Sequence, residues 1–198
     1  MPRIPCDPVA ATDRSEARRH LRQRRAAMGE AARALAARAI AERLEGLVAG
    51  LRLRVIAGYW AMKDEPDLAA LMARWHGAGL QVALPRVVAA DAPLEFAPWG
   101  PGARLIDGPF GTLHPDDPRS LRPDLLVIPC LGFDARCYRL GYGGGYYDRT
   151  LERLAPVVTA GVAYDRCEVS GFAAHAHDLP MDWVVTERRV LPRPPDPG

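Results

Sequence analysis

The chain has 198 residues, 48% of them hydrophobic and 25% charged, which is the size and balance of a single globular domain with a sizeable core. Its net charge is only +2 although 26 residues are basic, Lys63 being the one lysine among arginines. That near-neutral balance argues against a protein whose main business is coating nucleic acid, and no apolar run is long enough to span a membrane.

Residues 1–12 mix Pro, Arg and Asp without the apolar run of a signal peptide, so a flexible N-terminus on a cytoplasmic protein is expected. Asp13 followed by Glu16 is a capping-box-like start. From there to residue 48 the Ala, Arg, Leu and Glu content predicts one long helix, or two broken near Gly29. Leu21, Met28, Leu35, Ala39 and Leu44 would share its apolar stripe. Residues 54–59 and 80–84 are short apolar runs around a segment, 67–77, in which Leu68, Leu71, Met72 and Trp75 recur at helical spacing. That order is a βαβ unit.

Residues 94–99 suggest an added strand, followed by a Pro/Gly-rich connection to about Pro123. Residues 124–129 give the strongest buried-strand signal. A glycine run then leads to a helix over 146–154, a strand over 157–164 and a short strand over 183–186. Residues 191–198 read as a Pro-rich tail. The alternation predicts one α/β domain over residues 13–190, with a doubly wound, mostly parallel sheet and helices on both faces.

In such a sheet, ligands bind beyond the carboxyl ends of the strands, which directs attention to the segment after Ile128. Gly141, Gly143, Gly144 and Gly145 lie within five residues, directly before the helix. A loop without Cβ atoms can turn its N–H groups toward one point, and opening a helix it suits phosphate. Arg139 and Arg149 flank it with forked donors, and Asp148 falls where a triphosphate's divalent metal would need a carboxylate. The alternative is a flexible linker with Tyr146 and Tyr147 serving as packing. The spacing fits neither the Walker pattern nor G-x-G-x-x-G, so the site would be of another type. Cys6, Cys130, Cys137 and Cys167 form no C-x-x-C pair and have no histidine at zinc spacing, which speaks for reduced thiols; Cys130 reads as packed rather than nucleophilic.

Phe133, Asp134, Arg139, Leu140, Gly141, Gly143, Gly145, Tyr146, Tyr147 and Asp148 match, position by position, the signature P-G-x-x-F-D-x-x-G-x-R-L-G-x-G-x-G-Y-Y-D. The chain in this respect resembles the 5-formyltetrahydrofolate cyclo-ligases. Companion motifs come in family order: Arg18-Arg19-His20-Leu21-Arg22, then Tyr59 with Glu65 and Asp67, Pro85-Arg86, Phe96 and Trp99, Phe110-Gly111, and His177-Asp178 through Asp182 to Thr186-Glu187. Departures are Arg18 for lysine, Leu68 for threonine, His114 for glutamate, Cys137 for glycine and Cys167 for glutamine.

The resemblance implies an ATP- and magnesium-dependent closure of 5-formyltetrahydrofolate to 5,10-methenyltetrahydrofolate. ATP phosphorylates the formyl oxygen, the neighbouring amine attacks the activated carbon, and phosphate leaves. It implies that Arg18, Arg22, Arg139, Gly141, Gly143, Gly144, Gly145 and Tyr146 bind ATP and that Asp148, aided by Asp182, holds Mg2+. Glu65, Tyr59, Trp99 and Tyr147 would bind the folate, with Arg139 and Tyr147 at the reacting centre. The expected partners are small molecules alone, for a monomer that contacts neither nucleic acid nor membrane. A paralogue of the same fold with another substrate, or a non-catalytic nucleotide-binding module, is the competing expectation.

Overall fold

A computed structural model describes residues 13–171 and 177–195. The N-terminal segment with Cys6 and the last three residues of the expected tail lie outside them. Two helices open the fold, α1 (Arg14–Ala26) and α2 (Glu30–Ala49), broken at Gly29. Asp13 caps α1 by accepting the Ser15 N–H at 2.8 Å, whereas Glu16 pairs with Arg19 instead of completing a capping box. The break also resets the helical phase. The stripe expected to run through both helices therefore fails at Leu35, which is 66% exposed, but holds at Leu44, beside which α2 buries Ala37, Ile40, Ala41 and Val48.

Next come β1 (Val55–Ala57), α3 (Ala69–Gly77), β2 (Gln81–Arg86) and β3 (Glu95–Trp99). The Pro/Gly-rich connection contains a hairpin that its turn-rich composition concealed, β4 (Leu105–Asp107) with β5 (Leu113–Pro115). β6 (Leu125–Pro129) is followed by a tight hairpin, β7 (Gly132–Phe133) with β8 (Arg139–Leu140), and by α4 (Tyr146–Leu154). Last come β9 (Val158–Val162), β10 (Trp183–Val185) and β11 (Val190–Pro192). The final strand reaches into the segment read as tail: Pro192 is tolerated there because β11 is an edge strand.

The main sheet has the order β11-β10-β9-β6-β1-β2-β3, with β10, β9, β6, β1 and β2 parallel and β3 and β11 antiparallel at the two edges. Period-two alternation divides its side chains. Ile56, Val82, Leu84, Leu125 and Val127 pack on one face against α2 and α3. Ala57, Ala83, Leu126 and Ile128 face the other side with Leu151 of α4. Helices thus cover both faces, as expected. The chain leaves β1 toward β2 and returns on its other side as β6, so the topological switch point lies between β1 and β6. α1 packs over the carboxyl end of this region, through Ala17 and Leu21 against Leu131, Leu140 and Cys167. No helix among the described residues is long and apolar enough to cross a membrane.

Candidate functional site

The ends of three strands meet the glycine loop around one cleft of about 1000 Å3. The segment after β1 contributes Tyr59 and Glu65, the end of β2 contributes Pro85 with Val87 just beyond it, and β6 contributes Pro129. Over them stand the loop and the first turns of α4, and α1 closes one side. The cleft is therefore where an open parallel sheet puts a ligand, above its switch point.

The hairpin β7–β8 delivers the chain into the loop. Buried Asp134 holds its turn by accepting the N–H groups of Arg136 and Tyr138 at 2.9 and 3.0 Å. Cys137, at φ 63°, occupies the left-handed position for which a glycine would serve better, and it is the position where the family signature has one. Beyond the hairpin, Gly143 at φ 106° and Gly145 at φ 65° turn the backbone into α4. A Cβ on Gly145 would stand 2.8 Å from the Arg149 guanidinium, which donates to the Gly144 carbonyl at 2.7 Å.

Arg14, Arg18 and Arg22 repeat every four residues, so α1 presents all three to the cleft. Arg18 Nε donates to the Gly141 carbonyl at 2.9 Å, and Arg14 pairs with Asp178. Burial, followed by repulsion from Arg14 and Arg22, lowers the Arg18 pKa. Like charges crowded on one face are what an anion relieves. Arg139 is buried, donates to the Leu179 carbonyl at 3.0 Å and engages Oδ1 of Asp148. Asp148 is a quarter exposed toward the cleft, and burial raises its carboxyl pKa in spite of Arg139.

Glu65 is buried. Its Oε2 accepts the Met62 N–H at 2.9 Å and its Oε1 accepts the Tyr142 hydroxyl at 2.6 Å. Tyr59 also lines the cleft, its hydroxyl donating to the Pro66 carbonyl at 2.7 Å. Tyr146 and Tyr147 line it from α4, and burial pushes the Tyr147 hydroxyl pKa well up. Cys130 is sealed against Met181, and burial drives its thiol pKa to about 12; it is a packed thiol.

Two expected site residues stand elsewhere. Asp182 precedes β10 at the amino end of the parallel strands, where its Oδ2 accepts both the N–H and the hydroxyl of Thr159 at 2.8 Å. It holds two strand starts together and does not line the cleft. Trp99 ends β3, which runs antiparallel, so it lies opposite Val82 near the start of β2 and packs in the core 6.3 Å from Trp60. Trp60 is the tryptophan that lines the cleft. Sequence reasoning also passed over Arg25, Tyr142, and Phe110 as a cleft residue. Phe110 stands 75% exposed at φ 63° with its ring 5.9 Å from Tyr146.

Among the described residues, no three carboxylate, histidine or cysteine groups converge as a metal cage. Asp148, with Glu152 one turn further along the same wall, offers instead the sparse carboxylate supply typical of magnesium held chiefly through substrate phosphates and water.

Comparison with known proteins finds relatives along nearly the whole chain. The family model described as "5-formyltetrahydrofolate cyclo-ligase family" matches residues 10–187. A 5-formyltetrahydrofolate cyclo-ligase of Mycolicibacterium smegmatis is 32% identical over 196 residues, covering 92% of this chain and 98% of the relative. The Escherichia coli protein of that name is 32% identical over 143 residues, 68% of this chain and 79% of its own. Among solved structures, Aquifex aeolicus 5,10-methenyltetrahydrofolate synthetase superimposes with a TM-score of 0.80 at 28% identity, covering 93% of this chain and 95% of that one.

Proposed function

The chain belongs to the 5-formyltetrahydrofolate cyclo-ligase family, and from that premise we propose that it closes 5-formyltetrahydrofolate to 5,10-methenyltetrahydrofolate with ATP and Mg2+. The observation that carries the reading is convergence. The glycine loop, the arginine face of α1 and the buried Glu65 line one cleft of about 1000 Å3, room for a nucleotide triphosphate beside a reduced folate.

The chemistry asks the protein to position two substrates and to neutralise phosphate charge. Loop N–H groups and Arg18 and Arg22 receive the triphosphate from two sides. Arg139, its guanidinium already held by Leu179 and Asp148, stands at the loop's entrance to meet the transferring phosphoryl group. Glu65 accepts a donor of the pterin ring while Tyr59 and Tyr147 wall the ring in. The cleft keeps the phosphorylated formyl group from water until the adjacent amine attacks. Asp148 would hold Mg2+ through its carboxylate, with phosphate oxygens completing the shell. That ion would supply charge neutralisation on the transferring group. In this reading the enzyme is cytoplasmic and acts on small molecules as a monomer.

Incubation with 5-formyltetrahydrofolate, ATP and magnesium should produce the ultraviolet band of the methenyl product, and omission of any one of the three should abolish it. ATP consumed without that band would overturn the assignment in favour of a paralogue with another substrate.

A further inference from the structure

The glycine loop has a weakness that its composition makes plain. Residues 141–145 are Gly-Tyr-Gly-Gly-Gly, so Tyr142 carries the one side chain of the stretch, while Arg18 and Arg149 reach its backbone from outside at the carbonyls of Gly141 and Gly144. Glycine-rich backbone loses the most freedom on ordering, so a loop with one side chain of its own leans on what grips that side chain.

The grip comes from a buried pair of opposite charges. Arg25 lies one turn beyond Leu21 and two beyond Ala17, on the face of α1 that packs inward, and is 2% exposed. Its guanidinium donates through Nη2 to the carbonyl of Cys130, the residue directly after β6, and through Nη1 to the Tyr142 hydroxyl at 3.0 Å. That hydroxyl in turn donates to Oε1 of Glu65 at 2.6 Å. Glu65 is 6% exposed and takes the Met62 N–H on its other oxygen. The phenol thus accepts from a buried cation and donates to a buried anion. Each bond polarises the next.

We propose that Arg25, acting through Tyr142, is a positioning residue that ties the phosphate-binding loop to the carboxylate recognising the pterin. The nucleotide and folate halves of the cleft are then set by one relay. This rests on the functional reading above only for the identity of the two ligands; the relay itself is a property of the free protein. Without the phenol hydroxyl, Glu65 keeps one of its two bonds and is free to turn, and the middle of the loop loses its side-chain anchor. Ordering of the loop by a nucleotide then no longer orients Glu65 for the folate.

Three proteins, Tyr142→Phe, Arg25→Lys and the double variant, test this by two independent readouts. In hydrogen exchange on the unliganded proteins, amides 141–145 should exchange faster in both single variants, while those of the last turn of α4 stay unchanged. In steady-state kinetics, Tyr142→Phe should raise the KM for 5-formyltetrahydrofolate about tenfold or more, the effect of losing a hydrogen bond to a charged group, with a smaller fall in kcat. The double variant should be little worse than the worse single one, because both break the same chain. Unchanged exchange in Tyr142→Phe would overturn the relay, as would additive effects in the double variant. Faster exchange with an unaltered folate KM would overturn the coupling of the two halves. If the unmodified protein forms no methenyl product, the functional reading fails while the exchange experiment still decides whether the relay holds the loop.

Discussion

The two ends of the parallel sheet use the same side chain for opposite purposes. At the amino end, Asp124 Oδ2 accepts the N–H groups of Arg54 and Val55 at 2.8 and 2.9 Å, and Asp182 does the same for Thr159. Strand starts have N–H groups that the ladder leaves unmatched, and a carboxylate satisfies them. The bonds to Val55 and Arg54 draw the Asp124 pKa below the usual range, the sign of an aspartate whose charge is welcome where it stands. At the carboxyl end, Asp148 faces Arg139 and the open cleft, and burial raises its pKa. Burial there resists the charge that Arg139 stabilises. One end is closed by its own hydrogen bonds and the other opens on the cleft.

That contrast is broken most sharply at Asp148. Asp148→Asn keeps the shape and removes the charge, so turnover should fall by orders of magnitude in a protein that remains folded by circular dichroism. Added magnesium should restore part of the rate and added folate none. Near-normal turnover would mean that the two ends do not differ in kind.

Arg22 probes the same end with a smaller expected effect. It is exposed, its guanidinium lying 5.9 Å from the Tyr142 ring centroid, and its proposed partner is a phosphate. Arg22→Ala should weaken ATP by about 1.5–3 kcal/mol, roughly ten- to a hundredfold, with the folate KM far less affected. Equal loss of both substrates would instead point to collapse of the α1 wall.

The smallest effect on catalysis is expected at the closed end. Asp182→Ala leaves the Thr159 N–H without its acceptor and should cost about 1–3 kcal/mol of stability. Thermal unfolding should record this as a shift of roughly 2–12 °C for a domain of this size. Both substrate KM values and kcat should stay within about twofold, since Asp182 stands at the far end of the strands; a large loss of turnover at unchanged stability would return it to the metal site.

What local residue chemistry announces was legible along the chain. The segment after the glycine run, residues 146–154, marks α4, the apolar run 125–129 marks the central strand, and Gly29 marks the break between α1 and α2. The glycine run with Arg139 and Asp148 marked the site because its backbone requirements are local and severe. Which surface a side chain reaches is decided by the tertiary structure. Asp182 and Trp99 looked like site residues by order along the chain, but strand direction puts one at the amino end of the sheet and the other opposite the start of β2. Nothing in the sequence sets Arg25 apart from the other arginines of α1. Only the packing of α1 across the carboxyl ends brings it to Cys130 and Tyr142, residues more than a hundred positions away, because hydrogen bonds follow distance in space and sequence records only distance along the chain.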